Sequence, residues 1–415
     1  MAAATTVPRE EPARQRSLRE HNLGLVLRSV ALSPHPVSRA DLADASGLTK
    51  ATISALVDEL LAGGLLAEVD PAPRAGAGRP AVGLVVSADG LVGLGLEVNV
   101  DYLAACVVDL SGTQRRLQVR RGDLRGLTPN RVLSDLARLA ADVTAEAERD
   151  GLRVAGIALG VPGLVADGVV RLAPNLGWRD IDVVAALRAR WPLTSSSSAG
   201  ASNGGPATLT VDNEANLAAL AELHSATEAR PSFVYVSGEI GVGAGVVIEG
   251  RLLRGSRGYG GELGHVTIHP DGADCRCGAR GCLEAYANQD VLFRSAGLAG
   301  VQPSQRLETL VERAEAGHQP TLGALADVGR ALGIAAAGVV NLLDVDAIVL
   351  GGIYAPLTPW LVEPISRELA ERAITAPWAP VAVRASSLGT TAAVVGAAGS
   401  VIRAIRDAPA AWLSR

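Results

Sequence analysis

Cys275, Cys277 and Cys282 fall within eight residues, in the run Cys275-Arg-Cys-Gly-Ala-Arg-Gly-Cys282, and His265 lies ten residues upstream. Three thiolates and one imidazole make up the ligand set of a closed tetrahedral zinc site. No other feature constrains the fold as strongly, because metal binding at such a site contributes directly to folding and ties positions 265 and 282 together. The rival reading is a disulfide. No secretory signal precedes the run, and a thiol cluster of this spacing in a reducing compartment points to metal. Glu262 stands three residues before His265, and Glu284 two residues after Cys282. Carboxylates so near a metal-tied backbone are candidates for holding a polar ligand. The alternative is a purely structural zinc knuckle with two solvated glutamates.

At 415 residues the chain exceeds one ordinary hydrophobic core, so two or three domains are expected. It is 48% hydrophobic but only 3% aromatic, which suits an α/β protein of closely packed small side chains. A net charge of −5 argues against a chain that coats nucleic acid along its length. It leaves room for a local DNA-reading face. No apolar run reaches the roughly 18 to 20 residues of a membrane span, and residues 1–16 carry no apolar signal core. The expectation is a cytoplasmic protein without membrane contact, with residues 1–16 as a flexible arm.

Residues 17–88 read as a winged helix-turn-helix. Leu23, Val26, Leu27 and Val30 mark one face of a helix that ends before Pro34 and Pro36. Ser38 and Asp41 form the start of a second helix, and Gly47 ends it. Thr49 caps a third, with Ile53, Leu56, Val57, Leu60 and Leu61 on its apolar face. Thr49, Lys50, Thr52 and Ser54 stand at its N-terminal end, which enters the major groove in a helix-turn-helix, and short hydroxyls with one cation suit base edges and phosphates. Two strands follow, joined through Arg74 and the Gly78-Arg79-Pro80 tip of a wing. Arg39 in the turn and the two wing arginines complete the proposed DNA contacts. The competing use of such a unit is dimerisation. Residues 1–88 balance nine Lys/Arg against nine Asp/Glu, so the unit is not basic overall. The cations gather in the arm, turn, helix start and wing, whereas Asp58, Glu59 and Glu68 fall later.

From residue 89 to 415, strands with glycine-rich turns alternate with helices in both halves. Segments 91–97, 103–109, 154–161, 209–211, 233–237, 243–248 and 346–350 read as strands, and 133–149 and 217–224 as helices. The pattern predicts two α/β lobes facing a ligand cleft. The serine-rich run 194–206 reads as a loop.

The motifs now become specific. The zinc run, Glu262-Leu-Gly-His265, Asn213-Glu214-Ala-Asn216 and Gly351-Gly352 occur in the order seen in the ROK family (repressors, open reading frames, kinases), which the chain resembles from about residue 17 to its end. A winged helix with a Gly-Arg-Pro wing is similar to that of the family's regulators, those of the xylose-repressor type included. The resemblance implies a two-lobed hexokinase/actin-like fold. It also implies a sugar ligand held by Asn213, Glu214, Glu262, His265 and Glu284, with Asn175 in Ala173-Pro-Asn-Leu-Gly-Trp178 as a further candidate. His265 would serve both metal and sugar.

Departures from the kinase pattern separate enzyme from switch. Where the kinases have an Asp-x-Gly-Gly-Thr turn around ATP phosphates, this chain has Glu97-Val98-Asn99-Val100-Asp101. Glycines let backbone N–H groups approach phosphates. Val100 adds a branched side chain there and Asp101 a negative charge. The kinases' general-base Asp is replaced by Glu214, one methylene longer, where reaction geometry tolerates little displacement. Glu239 stands in the second glycine-rich turn, while Gly351-Gly352 is retained. The expectation is therefore a non-enzymatic, sugar-responsive regulator, a repressor of carbohydrate genes. It binds palindromic duplex DNA as a homodimer or homotetramer and carries one structural zinc per chain. The alternatives are a sugar kinase that also binds DNA, and a regulator controlled by a protein partner. Xylose, glucose and amino sugars all remain open as effectors.

Overall fold

The computed structural model describes residues 15–70, 82–191, 208–226, 230–238 and 240–413. Residues 1–14 of the expected arm, the wing tip with Arg74 and Arg79, the serine-rich run and Glu239 lie outside the described residues, and Gln15 and Arg16 already belong to the first helix.

The N-terminal unit follows its caps. Helix α1 (Gln15–Ala31) buries Leu23, Val26, Leu27 and Val30. Ser38 and Asp41 form a reciprocal capping box at α2 (Arg39–Ser46), and Gly47 closes it in the left-handed region at φ 71°. Thr49 caps α3 (Lys50–Ala62), whose Ile53, Leu56, Val57 and Leu60 are buried. Strands β1 (Leu66–Val69) and β2 (Gly83–Val86) pair antiparallel as the base of a wing.

Two five-stranded sheets build the remainder. Strands β3 (Leu91–Val98), β4 (Tyr102–Asp109) and β5 (Gln114–Arg121) form an antiparallel meander. After α4 (Pro129–Arg149), β6 (Arg153–Val161) returns parallel to β3. A small separate sheet follows, made of β7 (Leu164–Ala166), β8 (Val169–Ala173) and β9 (Trp178–Asp182). Beyond α5 (Val183–Arg190), β10 (Thr208–Asn213) joins β6 in parallel and leads into α6 (Glu214–Ser225).

The second half repeats the scheme. Strands β11 (Phe233–Gly238), β12 (Val242–Ile248) and β13 (Arg251–Leu252) form a meander. Helices α7 (Glu284–Ala287), α8 (Gln289–Ser295), α9 (Arg306–Glu315) and α10 (Gln319–Leu343) intervene. Strand β14 (Ala347–Gly352) then pairs parallel with β11, α11 (Tyr354–Arg372) crosses over, and β15 (Ala382–Ala385) pairs parallel with β14. The orders β10-β6-β3-β4-β5 and β13-β12-β11-β14-β15 are the same topology twice, each first strand central in its sheet. Two lobes result, and the cleft opens where the ends of β3, β6 and β11 meet, as open α/β sheets favour. Helix α10 is the one described helix long and apolar enough to cross a membrane; here it is largely buried in the second lobe's core beside α11.

Helix α12 (Ala392–Asp407) ties the parts together. Gly93 and Gly95 of β3 have no room for a Cβ against the α12 backbone at Val394 and Ala398. Val401, Ile402 and Ile405 of the same helix share one core with Leu23, Val26 and Leu27 of α1. The N-terminal unit thus rests on a helix that also lies on the first lobe's central strand.

Candidate ligand cleft and metal centre

A cleft, open at its mouth, lies between the lobes. Asn175, Asn213, Glu214, Glu262, His265 and Glu284 all line it, together with Asn99, Val100 and Ser237. Residues from five separate segments therefore converge where the motifs anticipated one ligand.

Each side chain is held differently. Glu284, buried at the start of α7, accepts from the amide of Val242 at 3.2 Å through Oε2. Gly241 makes this possible, since a Cβ there would stand 2.5 Å from that oxygen and 2.9 Å from Asn175 Nδ2. Asn213 is the N-cap of α6. Its Oδ1 accepts from the amides of Ala215 and Asn216, and its Nδ2 donates to Gly163 O at 3.0 Å. Its carboxamide is therefore engaged with the protein and shapes the cleft wall. Helix α6 accordingly begins at Glu214, three residues earlier than its apolar periodicity suggested. Glu214 keeps Oε2 buried without a hydrogen-bond partner. Burial pushes its carboxyl up to about 8, and the nearby Glu97 and Glu262 carboxylates add to the shift. Burial also raises the Glu262 carboxyl, against the opposing effect of His265.

The metal ligands meet as well. One donor atom each from His265, Cys275, Cys277 and Cys282 lies within 4.8 Å of all the others. Cys277 Sγ and Cys282 Sγ are 3.8 Å apart, as are Cys275 Sγ and His265 Nδ1. A tetrahedron with metal–sulfur bonds of about 2.3 Å has edges of about 3.8 Å, so the residues present fit a tetrahedral ion. All four cysteines of the chain are free. The loop folds back through Cys275 N→Ala279 O (2.8 Å), and Gly278 supplies the positive φ of 95° that this turn needs. His265 presents Nδ1 to the thiols and Nε2 to Glu262 Oε2 at 4.0 Å. It stands between metal loop and cleft. The fourth cysteine, Cys106, is buried in β4, its thiol pushed up to about 12 by that burial, and takes no part.

A sequence model of the ROK family matches residues 93–404. The chain belongs to the ROK family. It is 29% identical over 392 residues to the xylose repressor of Bacillus subtilis (strain 168), an alignment covering 94% of this chain and 97% of the repressor. Its fold is similar to the crystal structure of a ROK family transcriptional regulator, a homologue of the E. coli MLC protein. That match has a TM-score of 0.76 and 26% identity, and covers 94% of this chain and 97% of that one. A ROK family glucokinase from Streptomyces griseus, solved with glucose and AMPPNP, matches at a TM-score of 0.62 and 25% identity. It covers 98% of the kinase but 74% of this chain.

Between β3 and β4 the amide of Val100 bonds to Asn99 Oδ1 at 2.6 Å, and the amide of Asn99 to Tyr102 O at 2.9 Å. Two N–H groups that a phosphate turn would offer are occupied within the turn itself. Val100 is buried, and Leu124 N donates to its carbonyl at 2.8 Å. Glu97 is 1% exposed and accepts from Tyr102 Oη at 2.6 Å, while its Oε2 has no partner. Burial pushes its carboxyl up to about 7. A small chamber behind the cleft is lined by Glu97, Glu214, Tyr235, Ser237, Gly352 and Thr390, among others. The retained glycine pair has a packing reason, because the Tyr235 ring lies directly on Gly351.

In the N-terminal unit, Thr49, Lys50 and Thr52 are exposed at the start of α3, and Ser54 is half-buried. The Thr49 and Thr52 hydroxyls are 2.9 Å apart. Arg39 differs from the sequence picture. Its guanidinium pairs with Asp58 and Glu68, each at 2.9 Å, so it braces α2 against α3 and β1, and those acids do not lie apart from the cations.

Proposed function

We propose that the chain is a sugar-responsive transcriptional repressor that binds operator DNA through residues 17–88 and its effector through residues 89–415. The observation that carries this reading is the whole-length likeness to a repressor, winged helix included, combined with a β3–β4 turn whose amides are already occupied. Thr49, Lys50, Thr52 and Ser54 would meet DNA, with Arg74 and Arg79 reaching phosphate or the minor groove from the wing. Arg39 would set the angle of α3 from behind. The protein would act in the cytoplasm as a homodimer on a palindromic site, since a two-fold operator matches a two-fold protein.

The effector is a sugar, and a pentose such as D-xylose is the first candidate, by likeness to the repressor named above. Glu214, Glu262, Glu284, His265 Nε2 and Asn175 Nδ2 supply acceptors and donors for several hydroxyls. Zinc would be held by His265, Cys275, Cys277 and Cys282. With Nδ1 on the metal, the His265 tautomer is fixed with Nε2 as a donor toward the cleft. The chemistry the ion supplies is structural, holding the Glu262–Glu284 segment in place.

The test is fluorescence anisotropy of a labelled palindromic operator with the full chain, titrated with D-xylose and D-glucose. The expected result is operator release by one sugar in the wild type. Glu262→Gln should bind operator as tightly yet not release it. Release without any sugar dependence, or no operator binding by the full chain, would remove the assignment.

A further inference from the structure

One side chain of the metal loop leaves that loop and reaches a residue of the other lobe. Arg276, flanked by Cys275 and Cys277, donates from Nη1 to Asn175 Oδ1 at 3.0 Å. Its other terminal nitrogen faces Asp290 Oδ2 of α8 at 4.0 Å. Asn175 belongs to the other lobe, in the turn from β8 to β9. Its neighbours Leu176 and Trp178 are buried in the first lobe's core. The bond therefore spans the two lobes.

It also decides which way the Asn175 amide points. An amide whose oxygen accepts from a guanidinium presents its NH₂ group on the other side. Here Asn175 Nδ2 and Glu284 Oε2 both close in on Gly241, within 3 Å of where a Cβ would stand, and both residues line the cleft. A flipped amide would set the two Nδ2 hydrogens against the guanidinium donors and bring Oδ1 toward a carboxylate, both unfavourable. Nothing else in the metal loop reaches the first lobe by a side-chain hydrogen bond among the described residues.

We propose that Arg276 is a positioning residue for the effector: from the metal loop it straps Asn175 across the cleft and turns the amide donors toward the ligand. Affinity for a hydroxylated ligand then depends on the loop's order without any loop residue between the cysteines touching the ligand. This rests on the effector reading above. It adds a residue that neither the motifs nor the cleft lining identifies, since Arg276 does not line the cleft.

The experiment compares wild type, Arg276→Ala, Arg276→Lys, Asn175→Ala and the double alanine variant, each as the full chain with its metal content measured. Hydrogen exchange without sugar reads the strap itself. Arg276→Ala should speed exchange over residues 173–178 with metal per chain unchanged. Calorimetric titration with D-xylose and D-glucose reads its role. Arg276→Ala should weaken the bound sugar by about three- to tenfold, the scale of one partly exposed charge-assisted hydrogen bond. Arg276→Lys should recover part of that, and Arg276→Ala should add nothing in the Asn175→Ala background. Unchanged exchange over 173–178, or additive losses in the double variant, would overturn the proposal. If wild type binds neither sugar, the effector reading fails by itself, and the exchange measurement still decides whether the strap exists.

Discussion

Nε2 of His265 stands 4.0 Å from Oε2 of Glu262, on the opposite side of the imidazole from the thiols. One ring thereby couples a metal centre to a ligand cleft. Its orientation in the cleft depends on what its other nitrogen binds, so an ion held by the four residues would help set the site's shape.

Removing the ion should therefore loosen the cleft before it unfolds the chain. About one zinc per chain is expected by metal analysis. Cys282 is fully buried, so Cys282→Ser leaves a polar group in a dry site and a ligand short. That variant should contain little zinc, melt several degrees lower, and bind sugar at least tenfold more weakly. Its operator affinity should fall less, because α1–α3 take their core from each other and from α12. Full zinc occupancy in Cys282→Ser, by elemental analysis, would contradict the ligand set.

The two inter-lobe carboxyls set a pH dependence. Glu97 and Glu214 are raised from 4.5 to about 7 and about 8, in both cases chiefly by burial. The folded state thus holds protons that the unfolded chain has already released. Stability from this source is complete below about 4.5 and is lost as pH rises through 7 to 8. The window from about 6.5 to 8 reads this loss. Melting temperature should fall across it, and Glu97→Gln with Glu214→Gln should flatten the slope. A melting temperature that is flat or rising in wild type over that window would contradict the assignment.

DNA binding separates two cations that look alike in sequence. Lys50 is exposed at the α3 N-terminus, whereas Arg39 is paired with Asp58 and Glu68. Lys50→Ala should weaken operator binding by about tenfold and reduce its salt dependence, with melting unchanged, as expected for a lost phosphate or base contact. Arg39→Ala should act through helix placement, lowering affinity with little change in salt slope. Equal salt slopes for Lys50→Ala and wild type, measured by anisotropy from 50 to 200 mM salt, would remove Lys50 from the interface.

How much of this was legible in the sequence depended on distance along the chain. The metal ligands, Glu262 and Glu284 fall within 23 residues, and tetrahedral chemistry fixes their mutual geometry once the spacing is read. The caps at Ser38 and Thr49 are local in the same way. The small β7–β9 sheet was not legible. Its strands are three to five residues long, and Trp178-Arg-Asp-Ile-Asp182 shows no apolar alternation of a buried strand. Arg39's partners lie 19 and 29 residues away, and Arg276's lies 101 residues away, so only the fold brings them together. Asn213 was readable as a motif residue. Its capping role became visible only when the true start of α6 was known.

The sharpest prediction concerns chemistry the cleft should not perform. Phosphoryl transfer needs backbone donors at the phosphates and a base placed on the attacking hydroxyl. Here Val100 and Asn99 amides are bonded within their own turn, and the buried Glu97 side chain lines the chamber behind the cleft. Burial raises the Glu214 carboxyl to about 8, so at neutral pH most of it already carries the proton that a base would have to accept. Sugar should bind and remain unmodified. Incubating the full chain with D-xylose or D-glucose, Mg²⁺ and ATP should yield no sugar phosphate by mass, and ATP should not raise the melting temperature. Turnover near one per second, an ordinary enzyme rate, would mean that these groups rearrange on nucleotide binding and that the chain is a kinase.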